Sequence, residues 1–269
     1  GVEFRVNVAV GVDIDARTLR QQYDAICLTM GAEQARELPV PGRELKGIYP
    51  AMEFLTQQNK RNAGDAIQAE AISAKDKRVV IIGGGDTGSD CLGTAHRQGC
   101  REVHQFELLP EPPPKRAPST PWPLWPMQLR TSHAHEEGCD RQFSISTTKF
   151  TGQNGQVRKL HAHQVKLSNG KFEPIPGTDM ELDVDLVLLA MGFTGPVKNG
   201  LLDSLGVNYD ARGAVAVDDN FMTSIEGVFA AGDTKRGASL IVWAIAEGRK
   251  VAAGVDKYLQ AGLSAKTAM

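Results

Sequence analysis

Hydrophobic and polar positions follow different periods along the chain, and each period predicts an element. Residues 5–12 (RVNVAVGV) alternate and predict a short strand, whereas the continuous apolar run at 23–31 (YDAICLTMG) predicts a strand buried in a parallel sheet. Residues 31–50 contain three prolines and three glycines and predict a connector. The segment 51–64 (AMEFLTQQNKRNAG) predicts a helix that ends at its glycine.

A strand–helix–strand unit follows this helix. Residues 77–85 (KRVVIIGGG) are rich in β-branched side chains and predict a strand, residues 86–99 (DTGSDCLGTAHRQG) predict a helix, and residues 101–109 (REVHQFELL) predict a second strand. We expect the two strands to lie parallel, because a helical crossover returns the chain to the end of the sheet at which the first strand began.

Proline and turn residues dominate the next region. Residues 110–126 (PEPPPKRAPSTPWPLWP) carry Trp122 and Trp125, and their PxxP spacing is compatible with an SH3 ligand. Within a folded chain the composition favours an ordered loop stiffened by proline. The alternation of 142–177, with turn signals at GQNG and SNGK, predicts a small antiparallel sheet.

The stretch 183–193 (DVDLVLLAMGF) repeats the spacing of the earlier apolar run. Asp185 precedes Met191–Gly192 by the same number of residues as separates Asp24 from Met30–Gly31. Two strands of one pattern therefore frame the region between them.

The composition narrows the class of protein. The 269 residues include 30 basic and 32 acidic residues spread along the chain, for a formal net charge of −2, so no basic patch indicates a nucleic-acid partner. The apolar runs are less than half of the about 20 residues that span a bilayer, and the first residues (GVEFRVN) lack the features of a signal peptide. These features predict a cytoplasmic protein with no membrane partner.

Cysteine and histidine spacing argues against a metal or disulfide centre. The four cysteines lie far apart, form no CxxC motif and are expected to be buried thiols. His133 and His135 alternate, as do His161 and His163, but no third ligand accompanies either pair. We predict no metal site and, without a Ser-His-Asp set, no catalytic side chain.

Candidate chemistry begins where Gly83, Gly85 and Gly88 complete a G-x-G-x-x-G motif between a predicted strand and helix. Gly83 allows the tight turn, Gly85 lets the backbone approach a pyrophosphate, and Gly88 allows close packing of helix on strand. The helix N-terminus offers N–H groups to the phosphates. A glycine-rich turn that binds nothing is the less favoured alternative. The candidate dinucleotide-binding residues of this loop are Gly83, Gly84, Gly85, Asp86, Thr87 and Gly88.

Glu107 bears on the choice of coenzyme. It follows Gly88 by about 20 residues, where an acidic side chain accepts hydrogen bonds from ribose hydroxyls. Leu108–Leu109 come next, at positions where a 2′-phosphate would favour arginine, so the sequence favours NADH over NADPH. Lys115–Arg116 are close enough in sequence to reach a 2′-phosphate, and Glu107 is alternatively an ordinary exposed acid, so both alternatives stay open.

A second strand–turn–helix frame lies at 227–248 (GVFAAGDTKRGASLIVWAIAEG). Its glycine lets the backbone approach a flavin dinucleotide, its aspartate can hold the ribityl hydroxyls, and a helix predicted to begin near Ala238–Ser239 directs its positive end at the flavin. Trp243 is either a core anchor or a wall of the flavin site. The further candidate cofactor-binding residues are Gly31, Met191, Gly192, Gly232, Asp233, Ser239, Leu240 and Trp243.

Taken together, these motifs resemble those of the small (β) subunits of glutamate synthase, in the two-dinucleotide-binding flavoprotein family that includes adrenodoxin reductase and the N-terminal part of dihydropyrimidine dehydrogenase. The resemblance covers about residues 1 to 260 and is carried by VVIIGGGDTGSDC, FELLPEPPPKRAPSTPWPLWP, HEEG, AMGFTGP and GVFAAGDTKRGASLIVWAIAEGRKVA. The proline–tryptophan segment is similar to that of the NADH-using forms.

The resemblance implies an α/β fold in which a Rossmann-like NAD(P)H-binding domain is inserted into an FAD-binding Rossmann-like domain. Residues 48–190 are then expected to form the inserted domain, and residues 1–47 and 191–269 a truncated FAD-binding domain. The family's iron–sulfur domain and first glycine motif are expected to precede this chain.

The implied activity is oxidation of NADH or NADPH, with electrons passing through FAD and iron–sulfur clusters to the glutamate synthase large subunit, which makes glutamate from glutamine and 2-oxoglutarate. The chain alone is expected to be inactive and to expose apolar surface that favours a homodimer. Two alternatives stay open: a related electron-transfer subunit (dihydropyrimidine-dehydrogenase-like or bifurcating-transhydrogenase-like), and a dinucleotide-binding module without turnover.

Overall fold

The computed structural model describes residues 1–122 and 128–267. Trp125, which the sequence placed in an ordered loop, lies outside these residues. The chain divides into two compact units, which we call the inner unit (Glu37–Met191) and the outer unit (Gly1–Arg36 with Gly192–Met269). None of the helices in the described ranges has the length and apolar character needed to cross a membrane.

The bounds of the elements follow in chain order. The helices of the described residues are α1 (Ala16–Gln22), α2 (Ala51–Ala63), α3 (Gly85–Arg97), α4 (His133–Glu136), α5 (Leu201–Leu205), α6 (Asp233–Arg236) and α7 (Ile241–Thr267). The strands are β1 (Ile26–Leu28), β2 (Gln34–Ala35), β3 (Ile48–Pro50), β4 (Arg78–Ile82), β5 (Glu102–Glu107), β6 (Asp140–Phe143), β7 (Ile145–Gln153), β8 (Gln156–Ser168), β9 (Lys171–Pro174), β10 (Met180–Asp183), β11 (Leu186–Leu189), β12 (Phe193–Gly195) and β13 (Val228–Ala230).

A five-stranded parallel sheet in the order β3-β11-β4-β5-β6 forms the centre of the inner unit. Successive side chains of a strand point to opposite faces, and both faces of this sheet are buried. Val79 and Ile81 pack in a cluster with α2 and α3, whereas Val80 and Ile82 pack in a second cluster with Phe150 of β7. Burial on both faces explains why β4 is a continuous apolar run.

The second cluster is covered by an antiparallel sheet in the order β10-β8-β7, with β9 also paired to β8. Asn154–Gly155 and Asn169–Gly170 close its tight hairpins, and all four residues have positive φ. That conformation belongs to the two-residue turns that match the twist of the flanking strands. The antiparallel sheet predicted from the alternation of 142–177 is therefore present, although β6 joins the parallel sheet.

The outer unit joins two distant parts of the chain. Strand β1 pairs in parallel with β13, with Ile26 opposite Val228, and β2 pairs antiparallel with β12. Buried apolar side chains of β1, α5 and β13 form one cluster, and a smaller cluster surrounds Phe229 and Val251. The apolar run at 23–31 thus forms a parallel strand, as predicted, but only over Ile26–Leu28. The prediction that this strand is buried is wrong for most of it, since of its three residues only Leu28 is buried.

The prediction of a strand at 5–12 is wrong. Asn7 has a φ of 56°, a turn spans the following residues, and only an isolated bridge between Val10 and Ile14 is present there. Phe4 and Val6 are 85% and 77% exposed, since no neighbouring strand supplies hydrogen bonds or a packing surface. Alternation alone cannot reveal whether a partner strand is present.

Two boundaries also differ from the sequence prediction. The units change between Arg36 and Glu37, whereas the sequence placed that change after residue 47. Residues 37–47 belong to the inner unit because Leu38, Val40 and Leu45 pack against its second cluster. The helix predicted from Ala238–Ser239 begins at Ile241, after the short helix α6.

Candidate functional site

The glycine loop lies where β4 ends and α3 begins. Gly83 and Gly85 have φ of +109° and +67°, values that side chains disfavour. A Cβ at Gly83 would overlap the carbonyl of Ala190, and one at Gly88 would lie 2.7 Å from Nε2 of Gln105. Apart from its chain neighbours and its own helix backbone, no atom of the described residues lies within 4 Å of the position that a Cβ on Gly85 would occupy. The first and third glycines are therefore needed for packing, and the second leaves open space.

The open space at Gly85 lies at the first residue of α3. Among the residues that the structure describes, no side chain caps the N-terminus of this helix of 13 residues, whose N-cap is Gly84. The first N–H groups of a helix lack partners within it and carry a partial positive charge. Asp86 is exposed and Thr87 is half-buried in this first turn. The arrangement fits a phosphate-bearing ligand at the carboxyl edge of the parallel sheet, as the motif predicted.

Glu107 lies against this loop but is already paired. Its Oε1 accepts hydrogen bonds from Nε and Nη2 of Arg141, at 2.9 and 2.5 Å. A Cβ at Gly84 would overlap the Glu107 carboxylate. The alternative of an ordinary exposed strand-end acid is therefore wrong, since both side chains of the pair are largely buried.

Arg141 was missed by the sequence analysis. It lies on β6, where a third hydrogen bond runs from its Nη1 to the carbonyl of Arg130 at 2.8 Å, and its guanidinium sits 4.8 Å from the Phe143 ring. A guanidinium is a strong partner for phosphate, and this one is held beside the acid that was expected to select the coenzyme. The predicted antiparallel sheet began at residue 142, so the sequence assigned Arg141 to no strand and did not place it next to β5.

A polar pair lies beside the glycine loop, with Gln105 buried and His135 half-buried. Gln105 is fully buried and donates from Nε2 to the carbonyl of Gly83 at 3.0 Å. Its Oε1 lies 2.9 Å from Nε2 of His135, in the HEEG segment of α4. Sequence reasoning considered His135 only as a metal ligand and did not consider Gln105.

The candidate flavin residues lie at two strand ends of the outer unit. Gly31 and Gly232 have φ of +79° and +64°. Thr234, which is fully buried, accepts a hydrogen bond from the Gly31 N–H at 3.0 Å and donates to the Gly31 carbonyl at 3.3 Å. Parallel pairing of β1 and β13 thus brings Gly31 and the Gly232–Asp233 turn together. Asp233 accepts a hydrogen bond from Ser239 at 2.9 Å.

Glu247 supports the same turn from α7. It is 2% exposed, and its Oε2 accepts the N–H of Gly232 at 3.0 Å. Its Oε1 accepts from Nε and Nη2 of Arg236, whose guanidinium lies 4.6 Å from the Trp243 ring. Trp243 is 47% exposed and is not part of a buried cluster, so the alternative of a core anchor is wrong.

The remaining candidate cofactor-binding residues are Met191, Gly192 and Leu240. Gly192 has a φ of +81° and accepts a hydrogen bond from the Arg36 N–H at 2.9 Å, both within the outer unit. Met191 ends the inner unit, where it packs against the second cluster. Leu240 is exposed.

The cysteine thiols and the histidines are the remaining candidates for metal or redox chemistry. Within residues 1–122 and 128–267, His, Cys, Asp and Glu form no group of three able to hold a metal. All four cysteines are free, and burial raises the pKa of Cys91 to about 12 and that of Cys139 to about 11. Cys27 is exposed, contrary to expectation, because its side chain points away from the cluster that buries Leu28.

The fold and the glycine loop define an α/β oxidoreductase frame of the dinucleotide-binding class. A family model described as pyridine nucleotide-disulphide oxidoreductase matches residues 2–248. The chain belongs to this family.

Several curated proteins are similar to the chain. It is 58% identical over 263 residues to a protein of Mycobacterium tuberculosis named glutamate synthase [NADPH] small chain, with 96% of this chain and 54% of that protein covered. The Bacillus subtilis protein of the same name is 43% identical over 96% of this chain and 55% of its own length. The Saccharomyces cerevisiae protein named glutamate synthase [NADH] is 40% identical over 97% of this chain and 13% of its own length. The chain therefore spans about half the length of the small chains it matches.

Solved structures share the fold. FprA of Mycobacterium tuberculosis in complex with NADPH matches with a TM-score of 0.71 at 17% identity, over 97% of this chain and 69% of that chain. Thioredoxin reductase of T. acidophilum matches with a TM-score of 0.58 at 21% identity, over 88% and 66%. At these identities the likeness concerns the fold alone.

Proposed function

We propose that the chain is the dinucleotide-binding part of a glutamate synthase small subunit, an NAD(P)H-dependent oxidoreductase. The observation that carries this proposal is the open space at Gly85 in front of the uncapped N-terminus of α3. The relatives' names support the particular enzyme. In the whole enzyme, electrons from NAD(P)H pass through FAD and iron–sulfur clusters to the large subunit, which forms glutamate from glutamine and 2-oxoglutarate.

The inner unit is the proposed NAD(P)H-binding domain. Backbone N–H groups of Gly84, Gly85 and the first turn of α3 hold the pyrophosphate, where their partial positive charge offsets the phosphate charge. Glu107 holds the ribose hydroxyls and favours NADH. The relatives are named for NADPH in some cases and for NADH in others. Arg141 bears on this preference because its guanidinium is a strong partner for a 2′-phosphate once it is released from Glu107.

The outer unit is the proposed partial FAD-binding domain, with Gly31, Gly232 and Asp233 beside the ribityl chain and Trp243 as an exposed wall. Bound there, FAD would supply the change from two-electron to one-electron transfer. Hydride transfer between stacked rings needs alignment more than a protein acid or base. The task of the chain is therefore to hold and orient its ligands, with Met191 and Gly192 as further binding residues.

Association and location complete the proposal. The partner is the glutamate synthase large subunit in the cytoplasm. The outer unit exposes large apolar side chains near the N-terminus of the chain and around the start of α7. This exposure supports association of the chain with a second copy. The most exposed of them are Val2, Phe4, Val6, Val12, Leu240, Ile241 and Val242.

Calorimetric titration with NADH and NADPH tests the nicotinamide site. The unmutated chain is expected to bind NADH more tightly. Glu107→Ala should lose the ribose hydrogen bonds and free Arg141 for a 2′-phosphate, which lowers NADH affinity and raises NADPH affinity by about tenfold each. Glu102→Ala, at the exposed start of the same strand, is the matched control and should change neither affinity. Tighter NADPH binding by the unmutated chain would reject the preference, and binding of neither coenzyme would reject the site.

Absorbance of the purified chain tests the flavin site. The sequence contains one G-x-G-x-x-G motif, which we assign to the nicotinamide coenzyme. Without a second glycine loop, FAD loses several charge-assisted hydrogen bonds of about 1.5–3 kcal/mol each. The chain is therefore expected to be colourless and inactive as an NADH oxidase. A yellow preparation with one FAD per chain would contradict this.

A further inference from the structure

Gln105 and His135 form a polar connection inside the inner unit that the proposed function does not use. Gln105 is fully buried, and a polar side chain in such a place is costly unless its hydrogen bonds are made. It makes one to the carbonyl of Gly83 and one to His135, at 3.0 and 2.9 Å. His135 in turn lies 2.8 Å from Oγ of Ser132 and accepts at Nδ1 from the Ser132 N–H at 3.1 Å.

The partners at each end fix where the protons are. The carbonyl of Gly83 can only accept, so it faces the NH2 group of Gln105, and the amide oxygen faces His135. The imidazole must then carry its proton on Nε2. At the other end the Ser132 N–H can only donate, so Nδ1 holds a lone pair. The connection is complete only with a neutral ring in the Nε2–H tautomer.

Both backbone polar groups of Gly83 are held by β5. Its N–H donates to the carbonyl of Phe106 at 2.8 Å, and its carbonyl accepts from Gln105. The same Nε2 of Gln105 packs under Gly88, where a Cβ would lie 2.7 Å away. Gln105 thus contacts the first and third glycines of the loop and sets the position of the open second glycine between them.

We infer that Gln105 and His135 are positioning residues that hold the glycine loop in its ligand-accepting conformation, and that protonation of His135 at Nδ1 releases it. This inference rests on the proposed function of the loop as a dinucleotide site. A protonated Nδ1 faces the Ser132 N–H donor to donor and can donate only to Ser132 Oγ. We therefore expect the ring to turn toward that hydroxyl and to lose its hydrogen bond to Gln105. Dinucleotide affinity is then expected to fall in acid.

The charges around the ring act in the same direction. The pKa of His135 lies below its ordinary value because of burial first and the Arg141 guanidinium second, while Glu107 partly opposes them. On α4 itself His133 and Glu136 are exposed, and from α3 Arg97 pairs with Glu137 and His96 contacts the Gly138 carbonyl. The folded state favours the neutral ring of His135. The free energy that this ring contributes to folding is therefore fully present above the ordinary histidine pKa and is lost as the pH falls through the lowered pKa.

The test uses NAD⁺, which is stable in acid, and the full chain from about pH 8 to about pH 5. Affinity of the unmutated chain should fall about tenfold across this range, the effect of losing one buried hydrogen bond. His135→Gln keeps an amide donor toward Gln105 but cannot titrate, so it should bind well and show no acid decline. His135→Leu should bind about tenfold more weakly at every pH. His133→Gln, an exposed neighbour on the same helix, is the control and should behave as the unmutated chain.

A second measurement separates this inference from the proposed function. Two-bond ¹H–¹⁵N spectra should show the Nε2–H tautomer of His135 near pH 8, and the amide signals of Gly84 and Gly85 should shift with its protonation. An Nδ1–H tautomer, an acid decline that persists in His135→Gln, or unchanged loop amides in His135→Leu would overturn the inference. If the loop amides respond but NAD⁺ does not bind at pH 8, the positioning role stands and the proposed function fails.

Discussion

Two hydrogen bonds join the carboxylate of Glu247 to the guanidinium of Arg236, from Nε at 2.9 Å and from Nη2 at 2.5 Å. Glu247 is almost completely buried, whereas Arg236 is partly exposed. The charge of the acid is therefore balanced at the protein surface while its other oxygen holds a strand-end amide inside. Removing one member of such a pair strongly destabilises the folded state, because the other member is left without its partner.

Replacing Glu247 with alanine is therefore expected to destabilise the outer unit by about 3–5 kcal/mol, because Arg236 and the Gly232 N–H both lose their partner. Asp256→Ala, an exposed acid on the same helix, is the matched control and should change stability by less than about 0.5 kcal/mol. Urea unfolding followed by circular dichroism measures both. Equal effects of the two substitutions would show that the buried pair has no special role.

Substitutions at two glycines of the loop should have different effects. Gly85→Val fills the open space and is expected to weaken NAD⁺ binding by at least about tenfold. Gly88→Ala meets Gln105 and the Gly83 carbonyl and should instead lower stability by about 1–3 kcal/mol. Calorimetric titration and thermal unfolding separate the two outcomes.

The control for backbone strain is Gly155→Val. Gly155 has a φ of +74° and open space around it, like Gly85, but it lies in the β7–β8 turn. It should show the strain of Gly85→Val, about 1–3 kcal/mol, with normal NAD⁺ binding. Weak binding by this variant would mean that Gly85→Val acts through global unfolding.

Acid should remove the stabilisation that Asp185 provides. Its Oδ2 accepts from the backbone N–H and Nε of Arg78, at 3.1 and 2.9 Å, and these bonds lower the pKa of Asp185 against the opposing effect of its burial. A lowered folded-state pKa means that the stabilisation is complete above the unfolded value of about 4 and is lost as the pH falls through the folded value.

Asp185→Asn is therefore expected to cost about 2 kcal/mol at neutral pH and progressively less below about pH 4. Asp183→Asn is the control, because Asp183 contacts the same arginine from an exposed position and should cost under about 1 kcal/mol. Denaturant unfolding at several pH values tests both. A penalty for Asp185→Asn that does not change with pH would contradict the assignment.

The inner unit is expected to fold by itself. Residues 37–191 contain a five-stranded sheet buried on both faces, whereas the β1–β13 sheet of the outer unit has two strands, which rarely suffice alone. A polypeptide of residues 37–191 should unfold cooperatively. In hydrogen exchange on the full chain, amides of β4 and β11 should be better protected than those of β1 and β13. Faster exchange in β4 and β11 would contradict this order.

Local signals in the sequence predicted the elements that local physics decides. Continuous apolar runs predicted β4 and β11, and Asn-Gly pairs predicted the two hairpins, because each conformation is set by neighbours in sequence. The glycine loop belongs to this group, since its three glycines are close together. Gly83 and Gly88 are required by close packing, and Gly85 by its positive φ and the open space beside it.

Side-chain partners across the sheet were not predictable in the same way. Arg141 meets Glu107, and His135 meets Gln105, only because β6 and α4 pack beside β5. Nothing within a few residues of Arg141 indicates that it contacts Glu107, and nothing near His135 indicates that it contacts Gln105. The strand at 5–12 failed for the related reason that a strand depends on a partner that its own residues do not specify.

The pairing of β1 with β13 has a consequence for how the chain is made. Ile26 and Val228 are opposite each other in the sheet although about 200 residues separate them in the sequence. At about 5–20 residues per second, a ribosome needs roughly 10–40 s between the two strands. During that interval β1 has been synthesised but has no partner, while all of the inner unit emerges and can fold. A nascent chain of this protein therefore exposes an unpaired strand for seconds, when a chaperone or another nascent chain can bind it.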